Sequence, residues 1–377
     1  MFTDRELKSI ADAFVLEGTY AGSEAIKEGH INNTFKLIMK SGTGGSAYLL
    51  QQINTSVFKN PALLMENVAA VTAFLAEKLA SAPESGMRSL RCIPCRAGGI
   101  YHTDEKGRVW RIYNYIDNVF SYSCTPSTSL FYKTGSAFGA FMNLLADFPA
   151  EKLGETIPDF HNTAVRFRNL TAAIGENRSG RLDTCTEEIA FARARADDTY
   201  ILTGKAAAGL LPLRVTHNDT KLNNILFDKD TDAPVCVVDL DTVMPGLSLY
   251  DFGDAIRSGA NTAAEDAENP AEVSLSVDLY TAYLRGFLEA AGESLWREEV
   301  RLLPFSAKLM TFECGMRFLT DYLDGDVYFR TAYPTHNLVR ARAQFALVKD
   351  IEKKMALLDA ITAETYREIT GKTLGEK

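Results

Sequence analysis

Residues 215–246 read VTHNDTKLNNILFDKDTDAPVCVVDLDTVMPG, and this stretch narrows the folds open to the chain more than any other. It sets a His, several carboxylates and several Asn between short apolar runs. Such groups are costly near a core unless they are paired or bind something. Residues 225–227 and 235–238 are apolar, rich in β-branched types and too short for helices, so they read as strands flanking polar loops. A loop rich in Asp and Asn can be a plain turn. The offsets favour a site: His217, then Asp219, then Asn224, a strand, and Asp239 at its end.

The order H-x-D-x-x-x-x-N, strand, Asp offers what phosphoryl transfer needs. One carboxylate must take the proton of the attacking hydroxyl. An Asn and a further carboxylate must offer oxygens to Mg²⁺, a hard cation. On this reading Asp219 is the general base, Asn224 and Asp239 hold the metal, and His217 orients the loop. Asp241 reads equally as a ligand of a second metal or a turn residue. A DFG triplet starts at Asp251, after Pro245 and Gly246, and opens a helical segment. Asp251 is therefore expected to brace the loop or cap the helix, with Asp239 as the metal carboxylate.

The first third predicts a small antiparallel sheet with a helix on it. HINNTFKLIM and SAYLLQQIN are β-type runs joined by the glycine-rich KSGTGG. From Pro61, apolar residues at 64, 68, 71, 75 and 79 make one helix face. MRSLRCIPCRAGGIYH and GRVWRIYNYID read as further strands. After about residue 117, a polar turn leads into a helix near Ser127, and the chain is then mostly helical to Gly209. It is helical again from LYDFGDAIR to a last helix with Leu338, Phe345, Val348, Ile351 and Met355 on one face. The expected fold is thus α+β and two-lobed, with an N-lobe at 1–117 and a larger, mainly helical C-lobe at 118–377. A chain of 377 residues is long for one core, which agrees.

The net charge of −9 disfavours non-specific nucleic-acid or anionic-membrane binding. No apolar run is long enough to span a bilayer, and the N-terminus lacks a secretory pattern. The expectation is a cytoplasmic protein with no nucleic-acid or membrane partner; the sequence leaves the oligomeric state open, a monomer being one option. Cys92 and Cys95 form a CIPC with no second pair and no nearby His pair to complete a metal set.

With these residues in place, HNDTKLNN, VVDLDT and LYDFGDAIR resemble the aminoglycoside phosphotransferase and choline kinase superfamily, which has a protein-kinase-like fold. GHINNTF, LQQIN, ECGMRFLTDYL and HNLVR extend the resemblance over nearly the whole chain, towards members that phosphorylate the anomeric hydroxyl of N-acetylhexosamines. The resemblance implies ATP and Mg²⁺, with a small-molecule sugar and a nucleotide as partners. It places Gly29, Asn32, Asn33 and Thr34 in a phosphate-covering loop and Tyr113 and Tyr115 at an adenine hinge. It sets Lys221 near the transferred phosphate. Gln51 or Gln52 then stands where the third strand usually carries a Lys. Glu313, Arg317 and Asp321, four apart on a helix, share a face with a sugar or form a surface salt-bridge ladder; Tyr322 is a weaker sugar contact. Other acceptors (choline, homoserine, an aminoglycoside), a non-catalytic nucleotide-binding module and a metal-dependent hydrolase built on His217, Asp239 and Asp241 are the competing readings.

Overall fold

The computed structural model describes residues 2–26, 31–42, 44–124 and 127–375. Gly29 of the expected phosphate loop, with His30, lies outside them, as do Thr43 of the glycine-rich turn and Thr125 and Pro126.

The strands are β1 (Thr19–Ile26), β2 (Asn33–Ser41), β3 (Gly44–Ile53), β4 (His102–Thr103), β5 (Val109–Asn114), β6 (Val119–Phe120), β7 (Arg214–Thr216), β8 (Ile225–Asp228), β9 (Pro234–Val237) and β10 (Met244–Gly246). The α-helices are α1 (Asp4–Ala11), α2 (Pro61–Ala80), α3 (Thr128–Leu144), α4 (Thr163–Glu176), α5 (Thr186–Arg193), α6 (Ile201–Ala207), α7 (Ser248–Gly259), α8 (Val277–Ala291), α9 (Arg297–Asp324) and α10 (His336–Thr370). The mixed α+β class expected from the sequence is what the chain adopts.

The chain divides into two compact units. The first comprises Met1–Phe120, Glu151–Pro158 and Leu226–Met244. Its main sheet is antiparallel in the order β1-β2-β3-β5-β4, and β6-β8-β9 form a second sheet. A single cut at residue 117 was expected, yet two later segments belong with this unit. The buried Asn67 of α2 shows why. Its amide donates to the carbonyls of Gly154 and Val243 at 2.7 and 3.0 Å and accepts from Gly154 N at 3.0 Å. A buried amide must be satisfied, and here each partner comes from a different segment. Asn60 caps α2 by accepting from Leu63 N, and Pro61 follows at the first helical position. Leu64, Val68, Val71 and Leu75 are buried as their spacing predicts, while Leu79 is half-buried.

Two local expectations fail in this unit. Residues 87–102 were read as a strand, but of these only His102, which opens β4, is in one; the rest make isolated bridges, Phe14 with Cys95 and Cys92 with Tyr113. Pro94 has no N–H for a ladder, and Gly98 and Gly99 turn the chain at φ +91° and +79°. Burial raises the pKa of both Cys92 and Cys95, so neither has the lowered thiol of a redox pair. Strand β1 was not foreseen at all.

The second unit comprises Ser121–Ala150, Asp159–Ile225 and Pro245–Lys377. Ser127 caps α3, accepting from Leu130 N at 3.1 Å, where the sequence placed a helix start. A core of Phe312, Met316 and Leu319 on α9, Leu338, Phe345 and Val348 on α10, and Leu170 and Ile189 joins four helices. Of the predicted α10 face, Met355 alone is half-buried. Helices α3 and α8 meet through glycine: a Cβ on Gly286 would lie 2.1 Å from Tyr132 O, and one on Gly135 2.2 Å from Tyr283 O. Gly286→Ala must therefore push the helices apart. The expected cost is about 1–3 kcal/mol, read as a lower midpoint in urea unfolding; an unchanged midpoint would refute the close contact.

Candidate active site

The segment expected to act as the catalytic loop, residues 217–224, lies in the second unit between β7 and β8, and α7 holds it. Asp251 accepts from His217 N at 2.9 Å and from Asn218 N at 2.7 Å, one carboxylate oxygen each. Burial raises its pKa, against the pull of His217 and those two bonds. One turn on, Asp254 accepts from Thr220 N at 3.1 Å and is itself gripped by Arg257 at 2.8 and 3.0 Å. The DFGD run thus braces the loop, as its position past the second strand suggested. Asn218 takes a left-handed φ of +65°, which Asn tolerates, and its side chain closes the turn on Thr216. His217 is wholly buried, edge-on to Phe138 and Phe141 of α3.

This bracing leaves one carboxylate of the loop accessible. His217, Asn218 and Thr220 are buried, while the Asp219 side chain keeps 26% of its exposure. Lys221 Nζ lies 2.6 Å from Asp219 Oδ1. Burial works against the Lys221 charge, but Asp219 and Asp254 beside it raise its pKa overall. Asn224 donates through Nδ2 to Asp219 O at 2.8 Å and Oδ2 at 3.2 Å, which fixes the Asn224 amide and leaves its oxygen for another role.

A second cluster of the same unit adjoins this loop. His161 links them: Nε2 is 2.9 Å from Asn218 O and Nδ1 is 2.8 Å from Glu313 Oε1. Glu313 is buried and also accepts from Thr163 Oγ1 at 2.6 Å. Burial pushes its carboxyl up, and His161, Thr163 and Arg317 outweigh that, so its pKa falls below the usual value. Arg317, one turn along α9, lies over the rings of Phe160, Tyr328 and Phe329, each about 5.5–5.7 Å away. Arg166 comes near it, with its pKa lowered first by burial and then by the Arg317 charge.

The four residues expected to face a sugar therefore differ in surroundings. Arg317 is half-buried on an aromatic bed. Glu313 serves His161 and Thr163. Asp321 accepts from Tyr328 N, Phe329 N and Asn337 Nδ2, which saturates it as a brace for residues 326–329. Tyr322 is buried, with its hydroxyl at Thr184 and Arg181 over its ring. The salt-bridge-ladder reading does not fit either, because Glu313 and Asp321 are both buried. Arg166 and His161 lay far from ECGMRFLTDYL in sequence, and nothing in their own neighbourhoods marked them.

The remaining expected residues lie in the first unit. Asp239 lies two residues past the end of β9, exposed, at φ +59°. Asp241 is not exposed as a simple turn residue would be: it is buried and 2.5 Å from Arg111. Asn32 donates to Asp241 Oδ2 at 2.7 Å, Gln51 donates to Thr34 Oγ1 at 3.2 Å, and Asn33 donates to Gln52 at 2.9 Å. Tyr113 is buried and strand-paired on both sides, with Leu49 and Cys92. Tyr115 lies just past the end of β5, half-buried under Lys36 at 4.5 Å. Glu66 on α2 is exposed and makes no ion pair among the described residues.

Asn224 and Asp239 offer hard oxygen donors, which suits Mg²⁺. Among the described residues no group of three or more His, Cys, Asp or Glu is placed to hold a metal ion. A Mg²⁺ held by one or two side chains and substrate phosphates needs no such group. No helix among the described residues is long and apolar enough to cross a membrane.

The model of the phosphotransferase enzyme family APH matches residues 23–296. Among solved structures, an aminoglycoside phosphotransferase from Alicyclobacillus acidocaldarius superposes with a TM-score of 0.56 at 13% identity, covering 95% of each chain. A microcompartment-associated aminopropanol kinase gives 0.57 at 13% identity, over 94% of this chain and 98% of that one. A choline kinase from Cryptosporidium parvum Iowa II gives 0.55 at 12%, over 94% and 96%. At such identities the likeness is one of fold.

Proposed function

From the premise that the chain belongs to the phosphotransferase enzyme family APH, we propose that it is an ATP-dependent N-acetylhexosamine 1-kinase, giving the sugar 1-phosphate. The observation that carries the catalytic reading is the braced loop, in which the neighbours of Asp219 are buried and it alone keeps an accessible carboxylate. Asp219 takes the proton of the 1-hydroxyl as that oxygen attacks the γ-phosphate. Lys221, paired with Asp219, brings a positive charge to the transferred group. Asn224 and Asp239 would hold Mg²⁺, which when bound screens phosphate charge. Asn32, Asn33, Thr34 and Gln51 offer amides and a hydroxyl to phosphate oxygens. Since the main chain of Tyr113 is used in strand pairing, adenine recognition by the hinge falls to residues around Tyr115.

The acceptor reading rests on Arg317 and Arg166. Arg317 has ring contacts but no hydrogen bond or ion pair among the described residues. Arg166 donates through Nε and Nη2 to Phe160 O. Two nearby guanidinium groups, with Glu313 engaged by His161, disfavour a cationic acceptor such as choline, ethanolamine or an aminoglycoside. They suit a neutral acceptor with a carbonyl and a ring face, as an N-acetyl sugar has. The test is ADP release from ATP and Mg²⁺ with N-acetylglucosamine, N-acetylgalactosamine, choline and kanamycin offered separately. Turnover with the amino sugars alone supports the reading; turnover with choline or kanamycin overturns it. Arg317→Ala is expected to raise the sugar KM about tenfold or more, the weight of one charge-assisted hydrogen bond, with little change in the KM for ATP. An unchanged sugar KM would remove Arg317 from the acceptor site.

A further inference from the structure

Two charged side chains of the first unit are buried among the described residues, Arg111 at 1% and Asp241 at 2% exposure, and they meet at 2.5 Å. Arg111 stands opposite Gln51 in the register of β5 with β3. Its Nε and Nη2 both donate to Gln51 Oε1, at 3.0 and 2.9 Å. Gln51 is thereby turned so that its Nε2 reaches Thr34 Oγ1. Asp241 passes the link on, since its second oxygen accepts from Asn32 Nδ2, and Asn32 Oδ1 accepts from Asn54 N at 3.0 Å. Thr156 Oγ1 donates to the Asp241 carbonyl at 2.9 Å, pinning the same turn.

One guanidinium therefore ties together β5, β3, the turn before β2 and the turn at 240–242. Stability alone gives no reason to keep it, because a buried ion pair is often no better than apolar side chains of the same volume. What the tied segments share is that they carry Asn32, Thr34, Gln51 and, two residues before Asp241, Asp239. Asp239 sits in a left-handed conformation that its surroundings must hold.

We propose that Arg111 is a positioning residue of the nucleotide site, acting from β5 on Gln51 of β3 and, through Asp241, on the turn that carries Asp239. Through Gln51 it orients Thr34. Through Asp241 it holds Asn32 and the turn that presents Asp239, and it offsets one of the two carboxylates there. This rests on the ATP and Mg²⁺ reading given above.

The test compares wild type, Arg111→Met and the double variant Arg111→Met with Asp241→Asn. ADP binding is measured by calorimetry with and without Mg²⁺, beside urea unfolding and the KM for ATP and for sugar. Arg111→Met should unfold earlier, because it leaves Asp241 buried without a partner charge. The double variant should regain most of that stability, yet bind ADP about tenfold or more weaker than wild type, with a raised KM for ATP and an unchanged KM for sugar. If the double variant binds ADP within about twofold of wild type, the pair is only structural and the proposal fails. If wild type itself binds no ADP, the nucleotide reading fails first, and that result is separable because it needs no variant.

Discussion

Asp219→Asn is expected to lower the rate of phosphoryl transfer by about 10²–10⁴-fold, the usual contribution of a positioned general base. The change is nearly isosteric. The Asn224 amide keeps its bond to the Asp219 carbonyl, and Asp251 and Asp254 still hold the loop, since they bind main-chain N–H groups. What is lost is the group that can accept a proton and the partner charge of Lys221. ADP affinity should stay within a few-fold of wild type, because a uniform binding contact is not removed. Single-turnover kinetics with saturating ATP and sugar would read the step directly. A variant that keeps more than a tenth of the wild-type rate would mean that the base lies elsewhere.

Asp251→Ala should be the most damaging single change to stability outside the cores. It strips the acceptor from two buried N–H groups, of His217 and Asn218, and each orphaned donor costs about 1–3 kcal/mol. A total of about 2–6 kcal/mol would appear as a large drop in the urea midpoint with an unchanged slope. Asp251→Asn keeps one acceptor oxygen and should lose roughly half as much. Equal losses for Ala and Asn, or a loss near zero, would show that the brace is not what orders the loop.

Much of this was legible in the sequence where the signal is local. Pro61 and Ser127 mark helix starts by their own chemistry, and in the structure α2 begins at Pro61 while Ser127 caps α3. The DFGD run could be placed beneath the loop because its spacing past Asp239 and its place at a helix start favoured a bracing role for Asp251. Non-local pairings left no such trace. Arg111 looks like one more residue in an alternating strand, and only the register with β3 brings it to Gln51. His161 and Glu313 are 152 positions apart, and periodicity carries no information at that range. The same holds for the segments at 151–158 and 226–244, which join the first unit through contacts distant in sequence, those of the buried Asn67 and of Asp241 among them. Residues 88–101 misled because their composition suits a strand while Pro94 and the glycines forbid one.

The seam between α3 and α8 bears on how this chain can change over evolutionary time. A misfit between two side chains can be repaired by shrinking the partner, and such second-site suppressors let cores drift. At Gly135 and Gly286 the first obstacle to a methyl group is a carbonyl oxygen of the facing helix. Every residue type has that oxygen, so no substitution on the partner makes room. These glycines are therefore closed to compensation, and drift in this half of the molecule has to proceed around them.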